Sequence, residues 1–160
     1  MSATPITAST RYYRMGVSKA VWVATLANYQ SPTRSEINAG TDLSDEIAAT
    51  AGWEVTGNTE DTPALGSVFI GKVPSTTTAG DSSLTMYADE TSVDVRTLLS
   101  RNSSGYIIWM WEGDVAGQLM DVFPVRVTST PKVSDISSVA QITVNFAVLK
   151  EPAENVAIPA

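Results

Sequence analysis

Residues 106–111, Tyr-Ile-Ile-Trp-Met-Trp, form an apolar run with no polar alternate, and this run constrains the fold more than any other stretch. Its aromatic and β-branched side chains predict a strand. Because side chains alternate along a strand, a run that is apolar at every position needs cover on both faces. Six residues are too few for a membrane span, which needs about 20. The cover must therefore be protein, with the helix or a second sheet expected on one face and a neighbouring subunit as a candidate for the other.

The strand over residues 105–111 is predicted to be one half of a hairpin. Glu112, Gly113, Asp114 and Gly117 follow it directly, and these residue types are typical of a chain reversal. The turn is predicted over residues 112–118 and the partner strand over residues 119–128. We expect the rest of the chain to pack around this hairpin.

One helix is predicted just before the hairpin, over residues 91–101. Thr91 followed by Asp94 fits a capping box, in which a hydroxyl and a carboxylate satisfy amides of the first turn. Val95, Leu98 and Leu99 then fall on one face of the helix. That apolar face predicts a helix lying on the sheet.

Apolar alternation bounded by glycine and proline predicts further short strands. They cover residues 17–26, 53–56, 67–73, 83–89 and 139–149. The Ser- and Thr-rich residues 75–80 lack an apolar anchor and predict an exposed tip. Residues 36–51 stay open between a short helix capped by Ser44 and a strand or open loop. The predicted fold is a mainly β sandwich or barrel with one flanking helix.

Both ends of the chain are predicted to be arms rather than parts of the core. Residues 1–16 are small and polar until Arg11, Tyr12, Tyr13 and Arg14, which are good contact residues for an interface. Residues 151–160 hold Val156 and Ile158 and are interpreted as a second arm. The domain between them spans residues 17–150.

The composition argues against most catalytic and metal chemistry. The chain has no cysteine and no histidine, the commonest metal ligands and general base. Adjacent carboxylates occur only as sequence neighbours on turns, which rarely form a catalytic pair. We expect no enzyme, no metal and no cofactor. The N-terminus lacks the pattern of a signal peptide, and no membrane span is predicted.

Charge is unevenly distributed along the chain. The net charge is −7, which argues against a nucleic-acid-binding surface. Residues 1–35 contain Arg11, Arg14, Lys19 and Arg34 without an acid, whereas residues 36–61 contain acids without a base. A basic arm and an acidic loop could attract each other in different copies of the chain. Ordinary solvated surface is the alternative.

Six motifs resemble those of the major tail tube proteins of long-tailed, non-contractile phages. The motifs are Asp94-Val-Arg-Thr-Leu-Leu, Gly105-Tyr-Ile-Ile, Glu112-Gly-Asp, Met120-Asp-Val-Phe-Pro-Val-Arg-Val, Val139-Ala-Gln and Glu151-Pro-Ala-Glu-Asn-Val-Ala. The likeness runs from about residue 18 to the end, and it is greatest to the small single-domain members. None of the motifs is a chemical signature, so their order and joint occurrence carry the resemblance.

The resemblance implies a structural virion protein of the phage tail, assembled in the host cytoplasm. Six copies would close into a ring with a continuous inner β-barrel, and stacked rings would conduct genomic DNA during ejection. Partners would be further copies, the tape measure protein and the terminator or tip proteins. The arm 1–16, with Arg11, Tyr12, Tyr13 and Arg14, the tip around 74–82, and the tail 151–160, with Val156 and Ile158, would join subunits.

Tubes of this family generally have an acidic bore, which repels the DNA backbone. Glu54, Glu112, Asp114 and Asp121 are therefore the candidate lumen acids. Two alternatives stay open. One is a β-sandwich adhesion or carbohydrate-binding module, and the other is the inner tube of a contractile tail or injection system.

Overall fold

The computed structural model describes residues 2–160, and β-strands dominate them. The strands are β1 (Lys19–Val23), β2 (Thr41–Asp42), β3 (Ile47–Ala51), β4 (Val55–Thr62), β5 (Gly71–Ala79), β6 (Ser82–Tyr87), β7 (Ser104–Met110), β8 (Leu119–Ser129), β9 (Lys132–Val133), β10 (Gln141–Val148) and β11 (Ala153–Ala157). Two short helices, α1 (Arg34–Asn38) and α2 (Val95–Leu98), and a 3-10 turn (Ser44–Glu46) accompany them. The predicted mainly β class is confirmed, with a second helix that sequence reasoning did not find.

Nine strands form one antiparallel sheet in the order β2-β1-β7-β8-β10-β6-β3, with β11 on β8 and β9 on β10. The predicted hairpin is its centre, since β7 pairs with β8 from Ser104↔Arg126 to Trp109↔Asp121. The long β8 divides its other edge between two partners. Its first residues pair with β11 and its last residues with β10. This division lets the sheet curl into a sandwich-like shape.

The main core lies on the inner face of the curled sheet. Strands from both ends of the sheet contribute to it, which places β1 and β6 on opposite sides of one cluster. Its largest fully buried members include Phe123, Leu84, Met86, Leu99 and Ile107. Burying side chains of this size contributes about 1.5–3 kcal/mol each. This core therefore supplies most of the driving force for folding.

A second core covers the outer face of β1, β7 and β8. Ile108 and Met110 point into it, whereas Ile107 and Trp109 of the same strand point into the main core. Helix α1 contributes Ile37 to the cover. The prediction that the strand at 105–111 is covered on both faces is confirmed, and the cover comes from the same chain.

The predicted helix over residues 91–101 is wrong in extent. Thr91 does not cap it, because its hydroxyl and amide both donate to the Asp89 carboxylate. Asp94 is the N-cap instead and accepts a hydrogen bond from the Arg96 amide at 3.0 Å. The helix is thus the single turn α2. Its predicted apolar face is correct, since Leu99 is a fully buried member of the main core and Val95 and Leu98 pack against that core.

The structure also corrects the interpretation of residues 151–160 as a free arm. β11 pairs with β8 from Ala153↔Val122 to Ala157↔Leu119. Ile158 is only 2% exposed and lies in the second core, with Val156 packed beside it. The early residues of β8 offer an open backbone edge and an apolar face, so the segment folds onto its own sheet.

Candidate self-association surfaces

A two-stranded ribbon projects from the sheet. β4 and β5 pair with each other from Val55↔Ala79 to Thr62↔Gly71 and with no other strand of residues 2–160. Almost every residue of the ribbon is exposed. An isolated two-stranded hairpin is only marginally stable in water. The ribbon is therefore a surface that a partner would stabilise.

The tip of the ribbon, residues 63–70, carries exposed apolar side chains. They are Leu65, Val68, Phe69 and Ile70, and Phe69 is 78% exposed. Three of the four are consecutive, and all three are exposed, so they form one continuous apolar patch. Contiguous apolar surface of this kind marks interaction sites on soluble proteins.

Sequence reasoning placed the tip wrongly, at residues 75–80 and around 74–82. Most of that segment lies in β5, because its threonines favour a strand and hydrogen-bond across the ribbon to β4. The chain reverses between Pro63 and Gly71 instead. The signal for the tip is the run Val68-Phe69-Ile70 between turn residues. It belongs to the segment 67–73, for which the sequence predicts a strand, whereas β5 begins only at Gly71.

Trp53 fixes the base of the ribbon. Gly52 and Trp53 both have left-handed backbone conformations, with φ of 80° and 57°. A bulky residue rarely adopts this conformation. The Trp53 ring packs edge-on against Trp109 and Phe123, and its Nε1 donates to the Ser83 carbonyl at 3.0 Å. This packing holds the sharp turn that sends the chain out into the ribbon.

Residues 2–13 have no regular secondary structure and are exposed at every position. Ile6 is 95% exposed and Tyr13 is 88% exposed. Arg11 is exposed too. Met1, the first residue of the predicted arm 1–16, lies outside the described residues.

The root of the arm is attached to the body through Trp111. The Arg14 guanidinium lies 4.3 Å from the centre of the Trp111 ring, within the range of a cation–π interaction. Trp111 in turn stacks on Trp109 at 4.7 Å. The Tyr12 hydroxyl donates to Glu112 at 2.8 Å, which raises the pKa of Tyr12. Tyr12 and Arg14, predicted as contacts between subunits, thus have partners in their own chain.

Three of the four candidate lumen acids lie around the β7–β8 turn and have partners there. Asp114 forms a bidentate pair with Arg34 at 2.5 and 2.6 Å, which lowers the pKa of Asp114. Asp121 accepts hydrogen bonds from Trp111 Nε1 at 2.7 Å and from the Asn155 amide at 2.9 Å. Glu112 is the acceptor for Tyr12.

Glu54, the fourth candidate lumen acid, lies on a different element, at the base of the ribbon. It is exposed, and its carboxylate has no ion-pair or hydrogen-bond partner within residues 2–160. No partner in the described residues therefore neutralises the Glu54 charge, which can act on a molecule near that surface. The direction in which these four acids face in an assembly stays a prediction.

Two further observations concern the described part of the chain. Residues 2–160 contain no group of three metal-ligating side chains that could hold an ion. Of the helices in the same residues, none has both the length and the apolar character that crossing a bilayer requires.

Comparison with known proteins gives a family and a fold. A family model described as "Phage tail tube protein" matches residues 6–160. The chain is similar to a chain in the six-fold symmetrised cryo-EM structure of the anti-feeding prophage (AFP) baseplate, with 12% identity, a TM-score of 0.53, and coverage of 94% of this chain and 95% of that one. It is also similar to an Hcp protein, with 12% identity, a TM-score of 0.42, and coverage of 82% and 88%. A search of curated proteins found no match.

Proposed function

The chain belongs to the phage tail tube protein family, and from this membership we propose that it polymerises as stacked hexameric rings into a tube that conducts genomic DNA during ejection. Membership makes it a structural component of a phage tail. The number of copies in a ring, the stacking of rings and the passage of DNA are the proposed part.

The exposed apolar tip of the ribbon is the observation that carries self-association. Residues 63–70 contribute nothing to either core, yet they present Leu65, Val68, Phe69 and Ile70 to solvent. A second copy is the partner that a tube subunit meets on every side. In the proposed assembly the tip of one copy contacts a different surface of the next copy. Such head-to-tail contacts close into rings or extend into helical assemblies.

The free edges of the sheet support the same proposal. β3 and β2 are the terminal strands of the sheet, and β3 is short and lined by small side chains such as Ala48, Ala49 and Ala51. Unpaired strand edges are templates for pairing with another chain. In a ring, the neighbouring copy would supply the missing strand, and a closed barrel of strands would leave no edge open.

The two alternative functions have different support. The tryptophans offer no open platform for a carbohydrate-binding module, because Trp22, Trp53 and Trp109 are buried and Trp111 lies beneath Arg14. Exposed aromatic rings do occur, but the two most exposed, Tyr13 and Phe69, lie on separate elements, the arm and the ribbon tip. The inner tube of a contractile tail or injection system shares the ring geometry. The likeness to the AFP baseplate chain concerns the fold alone, so it does not favour a contractile system. The tail tube of a long-tailed phage is preferred because the sequence motifs resemble that group.

The partners of the tube follow from the same proposal. The ends of a tail tube would meet terminator and tip proteins, and its bore would enclose the tape measure protein before DNA. The subunit would be made in the host cytoplasm and would end in the virion. No covalent chemistry is needed for any of these steps.

Polymerisation of the purified protein tests the proposal directly. At high protein concentration, negative-stain electron microscopy should show hollow tubes with six-fold end views, and sedimentation velocity should show loss of monomer as concentration rises. A protein that remains monomeric at millimolar concentration, or one that forms only compact closed dimers, would contradict the proposed function.

A further inference from the structure

A groove of about 460 Å³ lies between α2 and the strands β2 and β6. Its floor is apolar and is formed by Leu43, Met86, Val95 and Leu98. Val93, on the chain just before α2, is also part of the lining and is 73% exposed. A groove with this volume and floor has room for one or two apolar side chains from another segment.

The rim of the groove is acidic. Asp42, Glu46 and Asp89 line it, and Asp94, whose side chain is only 4% exposed, lies behind them in the lining. Asp42 pairs with Lys19 at 3.0 Å and Asp94 with Arg96 at 2.6 Å. Glu46 and Asp89 have no ion pair within residues 2–160. The groove therefore combines an apolar floor with an excess of negative charge, which favours an apolar segment that carries a cation.

The N-terminal arm of this chain has that composition. Residues 2–13 contain no acid, one exposed aliphatic side chain, Ile6, and one cation, Arg11. Arg11 has no ion-pair partner in the described part of the chain. The same arm is exposed along its whole length, so the groove of its own chain does not hold it.

The anchor of the arm gives it enough reach for a neighbouring copy. Arg14 is held on Trp111 and Tyr12 on Glu112, and Ile6 is six residues before Tyr12. At about 3.5 Å per residue, Ile6 can lie about 21 Å from the nearer anchor. A globular domain of this length has a radius of gyration of about 15 Å. The arm can therefore reach onto the surface of an adjacent subunit.

We propose that the groove between α2, β2 and β6 binds the N-terminal arm of a second copy, with Ile6 on the apolar floor and Arg11 at the rim beside Glu46 and Asp89. The inference rests on the proposed function and names the receptor surface for one of its contacts. The arm is preferred to the ribbon tip as occupant, because the tip is uncharged and would leave the acidic rim without a counter-charge.

A peptide-binding experiment tests the surface without requiring tubes. The probe is a fluorescent peptide of residues 2–13, and the receptor is the full chain carrying Arg11→Glu, which disables its own arm. Fluorescence anisotropy should show saturable binding that weakens with salt. Glu46→Arg with Asp89→Arg should lower the affinity at least tenfold, whereas the matched reversal Glu151→Arg with Glu154→Arg on exposed acids elsewhere should not.

Two results of this experiment would overturn the inference. One is equal affinity for the groove-reversed and control proteins. The other is displacement of the arm peptide by an unlabelled peptide of residues 63–71, which would make the ribbon tip the occupant. Circular dichroism of each variant ensures that a lost affinity is not a lost fold.

Charge reversal in the assembling protein provides the second test. Arg11→Glu and the pair Glu46→Arg with Asp89→Arg should each reduce tube formation at least tenfold, and all three changes in one chain should restore it. If every variant forms tubes at the wild-type yield, the groove is not the receptor, and the proposed function is unaffected. If the wild-type protein never polymerises, the proposed function is wrong. The peptide experiment would still show whether the groove binds the arm.

Discussion

Asp94 is the residue on which the turn before the central hairpin depends most. Its side chain is only 4% exposed. It accepts hydrogen bonds from the Asp89 and Arg96 amides, both at 3.0 Å, and from the Arg96 guanidinium at 2.6 and 2.8 Å. The hydrogen bonds from the Arg96 side chain, followed by those from the backbone, hold the pKa of Asp94 well below its ordinary range. The charged carboxylate is therefore part of the folded structure.

A lowered pKa gives a definite sign to the dependence of stability on pH. The stabilisation is fully present above the ordinary aspartate pKa of about 3.9 and is lost as the pH falls from there toward the folded-state pKa. We predict that Asp94→Asn lowers the urea midpoint at pH 7 and flattens its decline between about pH 5 and pH 2.5. Urea unfolding across this range measures both effects, with the exposed Asp81→Asn as control. Parallel curves for wild type and Asp94→Asn would contradict the assignment.

At the scale of elements, the ribbon allows the proposed assembly to be tested separately from the folding of the subunit. Its strands pair only with each other and its tip touches neither core. Changes at exposed positions usually alter stability by less than about 0.5 kcal/mol. The tip can thus be altered without weakening the subunit.

Val68→Ser with Phe69→Ser should therefore leave the thermal unfolding midpoint within a few degrees of wild type and abolish tube formation. The matched control is Thr76→Ser with Thr77→Ser, which changes the same ribbon without touching its tip. Differential scanning calorimetry and negative-stain microscopy give the two readouts. Tubes of normal yield from the tip variant would show that the tip is not an assembly contact.

The sequence predicts those elements whose signal is local and misses those decided by a distant edge. The apolar run at 106–111 and its turn residues sufficed to predict β7 and β8. The C-terminal end of the chain was harder to predict. In the sequence, Val156 and Ile158 have no local partner, and only the pairing of β11 with β8 places them in the second core. The same holds for β3 in the open segment 36–51, which pairs with β6. Helix α1 is different, because its signal is local: Thr33 and Glu36 form a capping box that sequence reasoning missed.

The candidate site was predicted in part, for a related physical reason. Arg14 and Tyr12 were identified as contact residues from their chemistry, but their partners Trp111 and Glu112 lie about a hundred residues away in sequence. No local pattern shows such a contact. The contrast between a basic start and acidic residues after position 36 is also visible in the sequence, and attraction between copies stays a prediction from it.

At the scale of the whole molecule, a net charge of −7 must be reconciled with the proposed polymerisation. Like-charged copies repel one another, so close packing requires that negative charge be paired or directed toward open space. Asp114 and Asp121 already have partners within the chain. Glu54 has none in the described residues, which makes it the candidate lumen acid whose charge can be changed without breaking a contact.

We predict that Glu54→Lys permits tube formation and converts the bore from one that repels DNA to one that retains it. Tubes assembled with short duplex DNA would be treated with nuclease and pelleted, and the protected DNA would be measured. Wild-type tubes should protect little, and Glu54→Lys tubes should protect more at low salt and lose the excess near 0.2 M salt, since phosphate contacts weaken steeply with ionic strength. The control is Glu154→Lys on β11, which makes the same charge change on a different element. Equal protection by both variants would mean that position 54 does not face the bore.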